Sequence, residues 1–217
     1  STGATQTTVF LTTGRNFADA VAVSGLAFLG KHPILLVDTL ADGTTPGTTL
    51  SAGTTAVLDS AVNSIERVII LGGTAAVSAE VETAVQAIKN GSLGTTAIQT
   101  TRVGGTDRYD TAKLLLELRV KGTSTNGFGH AIDDIILVNG TSHEDGMSAT
   151  AIAGAATTIA TLLTDGTGTL NATTSAAITG QASTVDTIRA VGRTADLSAS
   201  EVVAADAAAT TATATCT

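Results

Sequence analysis

Val9–Ala27 reads VFLTTGRNFADAVAVSGLA, and Ile135–Ala153 reads IILVNGTSHEDGMSATAIA. Both stretches run in the same order: an apolar strand, a glycine (Gly14 or Gly140), a polar turn, an aspartate (Asp19 or Asp145) and an Ala-rich helix. The offset between them is 126, from Val9 to Ile135. A second pair follows. RVIILGGTAAVSAEV (Arg67–Val81) returns as TIRAVGRTADLSASEV (Thr187–Val202), at an offset of 120 over its core. A duplicated strand–Gly–helix unit with no evident catalytic set points to a scaffold or binding protein before an enzyme.

Working outward, Thr7–Thr12, Pro33–Val37, Arg67–Leu71 and Ala97–Val103 read as strands. Helices are expected at Phe17–Leu29 with Asn16 as cap, at about Ser51–Val62, and from the Ser78 cap to Lys89, where Val81, Val85 and Ile88 form one stripe. A further helix runs from about Asp107 to Leu118. The second unit is expected to hold a strand at Ile135–Val138, a helix through Ala160, and a short strand at Leu162–Leu163. A weak helix near Asn171–Ile178, a strand at Thr187–Val191 and a helix at Ser198–Ala209 complete it. Asp42–Gly47 reads as a loop. The last residues, AATTATATCT, are low-complexity: a flexible tail, or a strand if another chain supplies a partner. Strand–helix alternation implies parallel sheets covered by helices. The fold class is therefore α/β: two tandem Rossmann-like repeats with mostly parallel sheets flanked by helices. The expected domains are residues 1–106 and 107–217.

Composition narrows function. Hydrophobic residues make up 43% of the 217, enough for a core, but aromatics are only 2% and tryptophan is absent. The chain cannot build the aromatic platforms on which bases or sugars stack. Its net charge of −8 argues against nucleic acid and anionic lipid as general partners. No apolar run reaches the ~18 residues of a membrane span, and no signal peptide is visible. The chain begins at Ser1 rather than Met, as when the initiator or an upstream region has been removed. The single cysteine, Cys216, cannot form an intrachain disulfide.

Three stretches carry a resemblance. TGRNFADAVAVSGLAFLGKHPILLV (Thr13–Val37), VIILGGTAAVSAEVE (Val68–Glu82) and RVGGTDRYDTAKLLLE (Arg102–Glu117) resemble, in order and spacing, motifs of the cell-wall-binding repeat type 2 family of Gram-positive surface proteins. The second copy departs further: His143 stands for Phe17, and Val191–Gly192–Arg193 for Leu71–Gly72–Gly73. The resemblance implies small α/β repeats and non-covalent attachment of exported proteins to anionic wall polymers. It brings no catalytic residue set. Partners would be wall polysaccharide or another surface protein, at an extracellular, cell-surface location.

Residue by residue, most motif positions read as structural. Asp19 and Asp145 lie where a carboxylate stabilises a helix N-terminus. Gly72–Gly73 ends a strand before a helix, without a nucleotide fingerprint. Asp107 caps the helix that carries Arg108 and Tyr109, and the tyrosine hydroxyl is expected to have a buried partner. Arg108 is expected to pair with an acidic group or hold a carbonyl. His143–Glu144–Asp145 is the most enzyme-like tripeptide, but the other histidines, His32 and His130, lie in unrelated segments. No metal, no cofactor and no catalytic role is expected. Asn90, Asn139 and Asn171 head glycosylation sequons in a Thr-rich chain, and Asn139 suits a turn.

Five of the eleven basic residues fall between Arg102 and Lys121. The plain reading of Arg102, Arg108, Lys113, Arg119 and Lys121 is a solvated helix face. The sharper one is a polymer-binding patch on an acidic protein. On an ideal helix Arg108 and Arg119 share a side and Lys113 lies roughly 140° away, so only part of the cluster can line one groove. The leading expectation is a non-catalytic attachment module that binds anionic wall polymer or packs in a surface layer. The alternatives are a self-assembling virion-surface or filament subunit and a Rossmann-like small-ligand enzyme. Because the first repeat lacks a leader helix of its own, a homo-oligomer or larger assembly is also expected.

Overall fold

The structure is a computed structural model describing residues 7–38, 47–60, 65–89, 97–123, 126–154 and 158–210. Most of the Asp42–Gly47 loop, Asn90 and the tail with Cys216 lie outside the described residues.

Two compact units divide the chain. The first comprises Ser1–Ala20 and Gly30–Gly104; the second comprises Val21–Leu29 and Gly105–Thr217. In the first, β1 (Thr7–Thr13), β2 (Ile34–Val37), β3 (Ile65–Leu71) and β4 (Gln99–Val103) form a sheet in the order β2-β1-β3-β4. Every neighbouring pair is parallel. Val9, Phe10 and Leu11 are all fully buried, so β1 is covered on both faces. That explains its uninterrupted apolar run where a one-sided strand would alternate. Helices α1 (Ala18–Gly30), α2 (Ala52–Leu58) and α3 (Ala79–Ala87) connect the strands. Ser51 and Ser78 cap α2 and α3 by accepting from the amides of Thr54 and Val81. Val9, Leu11, Val68, Ile70, Val81 and Val85 lie within one core cluster.

The second unit has a three-stranded parallel sheet in the order β6-β5-β7, from β5 (Asp134–Asn139), β6 (Ile159–Thr164) and β7 (Thr187–Val191). Its helices are α4 (Arg108–Val120), α5 (His143–Ala153), α6 (Ala172–Thr179) and α7 (Ala199–Thr210). The α/β reading of two repeats with parallel sheets holds.

Two elements differ from expectation. The helix expected to run through Ala160 ends at Ala153, with Gly154 as its C-cap. Residues Ile159–Thr164 are instead strand, and all six are buried. With both faces covered, β6 shows no period-2 signal, and its β-branched Ile and Thr residues decide for strand. The second difference lies in α1, where every residue from Val21 to Ala27 is buried. A helix buried all round belongs inside a core, and chain order gives no sign that this segment joins the second unit. Within that unit, a Cβ on Gly25 would stand 3.0 Å from the Ile159 carbonyl oxygen and 3.3 Å from Ala153 Cβ.

Candidate functional site

The duplicated turn is built the same way twice. Gly14 N–H donates to the Val37 carbonyl (3.1 Å), and Gly140 N–H to the Thr164 carbonyl (2.8 Å), so each first strand is tied to the end of its neighbour. Asn16 Oδ1 accepts from Ala18 N–H (3.1 Å), and Ser142 Oγ from Asp145 N–H (3.3 Å), which starts each helix. The aspartate then lies against the glycine that ends the third strand. A Cβ on Gly72 would stand 2.8 Å from Asp19 Oδ2 and 2.8 Å from Ala76 Cβ; one on Gly192 would stand 2.8 Å from Asp145 Oδ2. Both glycines have positive φ, 91° and 144°, where a side chain is strained whatever the space. Gly73 differs: a Cβ there meets nothing within 4 Å, which is why Arg193 can replace it in the second copy. Replacing Gly72 with alanine is therefore expected to cost about 2–3 kcal/mol, while Gly73→Ala stays within about 0.5 kcal/mol. Urea denaturation of the two variants checks the contrast.

The five cations are used in different ways. Arg102 projects from β4 into the turn before α3. Its guanidinium donates to the carbonyls of Gly72 (3.0 Å), Val77 (2.8 Å) and Ser78 (3.4 Å), and forms an ion pair with Glu82 (2.8 Å). Arg108 donates to the Gly140 carbonyl, and its Cδ lies 3.0 Å from where a Gly140 Cβ would be. Arg119 is only 2% exposed and donates to the Ile159 carbonyl. Burial lowers its pKa to about 10, so it remains a cation at neutral pH. The cavity it borders, with Ala22, Leu26, Leu115, Leu116, Ala160 and Thr161, has a volume of about 10 Å³. That is the size of one water, too small for a sugar. Lys113 pairs with Glu117 (3.6 Å) and keeps part of its side chain in solvent, and Lys121 is exposed at the C-cap of α4. The structure thus commits Arg102, Arg108 and Arg119 to internal carbonyls and leaves Lys113 and Lys121 at the surface.

Asp107 Oδ1 caps α4 by accepting from Asp110 N–H (2.8 Å). Tyr109 is half-buried; burial raises its phenol pKa, with Asp165 adding to the effect. Among the described residues its hydroxyl has no hydrogen-bond partner, contrary to expectation, because the ring stops short of full burial. His143 is exposed. Elsewhere, His32 meets Phe10 edge-on with ring centres 5.8 Å apart, and His130 stacks on Phe128 at 6.2 Å. Among the described residues no group of three or more His, Cys, Asp or Glu side chains converges on a metal position. The Asn139 amide is buried and makes the turn, donating to the Asp196 carbonyl (2.6 Å) and accepting from Thr141. Asn171 caps α6.

One polar site escaped the sequence reading. Glu201, wholly buried, occupies the position of Val81 at the offset of 120. One carboxylate oxygen accepts from Thr164 Oγ1 (2.7 Å) and Gly166 N–H (3.1 Å). The other accepts from Ser198 N–H (3.0 Å) and Ser198 Oγ (2.9 Å). Ser198 Oγ in turn accepts from Glu201 N–H (3.3 Å), which makes a capping box. Burial by itself would raise the Glu201 pKa, but these donors together hold it below the ordinary value. The S-x-x-E spacing at 198–201 was the available signal.

Known proteins place this geometry. Solved structures of Cwp8 and Cwp6 from Clostridium difficile share the fold, with TM-scores of 0.65 and 0.71, at 20% and 21% identity. Each match covers 93% of this chain but only 29% of Cwp8 and 27% of Cwp6, so the chain spans less than a third of their length. Among curated proteins, none is similar enough in sequence to count as a relative. The family model for cell wall binding domain 2 matches residues 2–82 and again 102–203. With both repeats matched over most of their length, the chain belongs to the cell wall binding domain 2 family.

Proposed function

We propose that this chain is a non-catalytic attachment module that holds a protein at the outer surface of a cell by binding anionic wall polymer. The observation that carries the reading is the family match over both repeats. The geometry is compatible with it: the polar side chains of the duplicated turns, such as Asn16, Asn139 and Ser142, are used to fix backbone. Within the basic stretch, the charge left for a polyanion is at Lys113 and Lys121. Replacing both with alanine is expected to weaken retention on purified cell walls by about fivefold per lysine, the upper range for an exposed ion pair. Retention should also fall as salt is raised. Wall binding that ignores both changes would reject these lysines as contacts; loss of all wall binding by the unaltered chain would reject the attachment reading.

Packing of copies in a surface layer is a second reading. It is favoured by five large apolar side chains that are exposed among the described residues: Met147, Val203, Phe28, Leu36 and Ile152. Light scattering at micromolar concentration checks it, with a monodisperse monomer as the contrary result.

A further inference from the structure

The two units differ at one sheet edge. In the first, β4 covers the outer side of β3, and six of the seven β3 residues are buried, including all five from Arg67 to Leu71. In the second, β7 occupies the place of β3, yet none of its five residues is buried: Thr187, Arg189 and Ala190 are exposed, Ile188 and Val191 half-buried. Gly72, buried beside β4, corresponds to exposed Gly192. Gly72 N–H donates to the β4 carbonyl of Val103 (2.8 Å); among the described residues Gly192 N–H donates to no carbonyl, and no strand lies beyond β7.

The turn that receives Arg102 is also duplicated. The Gly73 carbonyl accepts from the amides of Ala76 (2.9 Å) and Val77 (3.1 Å), and the Arg193 carbonyl accepts from those of Asp196 (2.9 Å) and Leu197 (2.9 Å). Ser78 and Ser198 then open α3 and α7, and their carbonyls accept from Glu82 and Val202. The second unit therefore carries counterparts of all three carbonyls that hold the Arg102 guanidinium, at Gly192, Leu197 and Ser198. Arg193 does not fill that place: it is 78% exposed and pairs outward with Asp196 (2.8 Å). Residues 194–217 carry neither Lys nor Arg. The surroundings are acidic, with Glu144, Asp145 and Asp196 all acting on Arg193.

We propose that the outer edge of β7 is a docking site for an extended, arginine-bearing segment from outside residues 1–217. It adds as a parallel strand, with its arginine opposite Ala190 and the guanidinium held by the carbonyls of Gly192, Leu197 and Ser198. The register follows from β3, where Ile70 is opposite Arg102 and matches Ala190 at the offset of 120. Backbone pairing supplies the affinity and the carbonyl cradle the selectivity, as in other strand-addition modes. Lysine fits less well, because only a planar guanidinium spreads donors toward several acceptors at once. The one missing acceptor is Glu82, whose counterpart is Val202.

The test appends a copy of Ala97–Thr106 (AIQTTRVGGT) to the full chain through a flexible Gly/Ser linker, which raises its local concentration to the millimolar range. Hydrogen exchange is then followed at Ile188–Gly192. Slowing by about tenfold or more is expected, since a paired edge amide must open before it exchanges. The slowing should be lost when the arginine of the appended copy is replaced by alanine. Val202→Glu, which restores the missing carboxylate, should strengthen protection by a further factor of about three to ten. Unchanged exchange at β7 in the appended chain overturns the proposal, as does equal protection by the arginine and alanine versions. Should Val202→Glu not fold, that comparison in the parent sequence decides alone.

Discussion

Replacing Glu201 with alanine is expected to lower the stability of the second unit by about 3–5 kcal/mol. The carboxylate is wholly buried and accepts from the Thr164 hydroxyl, the Gly166 and Ser198 amides and the Ser198 hydroxyl. Removing it leaves buried donors without an acceptor, each costing about 1–3 kcal/mol, and dissolves the capping box of α7. Glu201→Gln keeps one acceptor oxygen and should cost roughly half as much. A pH dependence follows from the depressed pKa of the native carboxylate. Its stabilisation is fully present above the unfolded-state value of about 4.3 and is lost as pH falls through the lower native value. Acid unfolding of the parent chain should therefore be steeper than that of Glu201→Gln. Tyr109, the sole tyrosine in a chain without tryptophan, lies in the second unit, so its emission reads this transition directly. Coincident acid unfolding of parent and variant would show that the carboxylate contributes nothing.

Arg119→Ala is expected to destabilise by about 3–4 kcal/mol, from lost packing of the stem and an Ile159 carbonyl left without its donor. Arg119→Met restores most of the volume and should recover roughly half of that. A polymer contact would behave differently: wall retention would fall while the denaturation midpoint stayed fixed. The denaturation midpoint and wall retention of the two variants, measured side by side, separate a core position from a binding one.

Arg119 also shows where sequence reading stops. Counted as a charge, it joins Lys113 and Lys121 in a basic cluster. Counted by spacing, it follows Leu115 and Leu116 by four and three residues, which places it on the buried stripe of α4 with Thr111 and Ala112. Charge is visible in a sequence and desolvation is not, so the first count is the easier one to make. Glu201 is the same problem in acidic form. The central strands β1 and β3 were legible because burial on both faces leaves apolar, β-branched runs that end in glycine. β6 was shortened because Ala-rich sequence precedes it without a proline to mark the change. The Asp19–Gly72 and Asp145–Gly192 pairings were legible as repeated positions, but not as contacts, since the partners are far apart in the chain.

Val21–Leu29 has a consequence for how such a chain is made and rearranged. The sequence repeats begin at β1 and β5, but the second compact unit also includes this piece of α1, with Val21, Val23 and Leu26 buried. During synthesis, the first residues of the second unit to leave the ribosome precede its strands by about a hundred residues. They must wait for α4 and β6 before their burial can be completed. A cut between Gly104 and Gly105 would leave the second piece without them, and recombination at the same point would supply them from a foreign repeat. What is inherited as a module and what folds as one are out of phase by most of a helix, so exchange between repeats is constrained at α1 even where the strands are interchangeable.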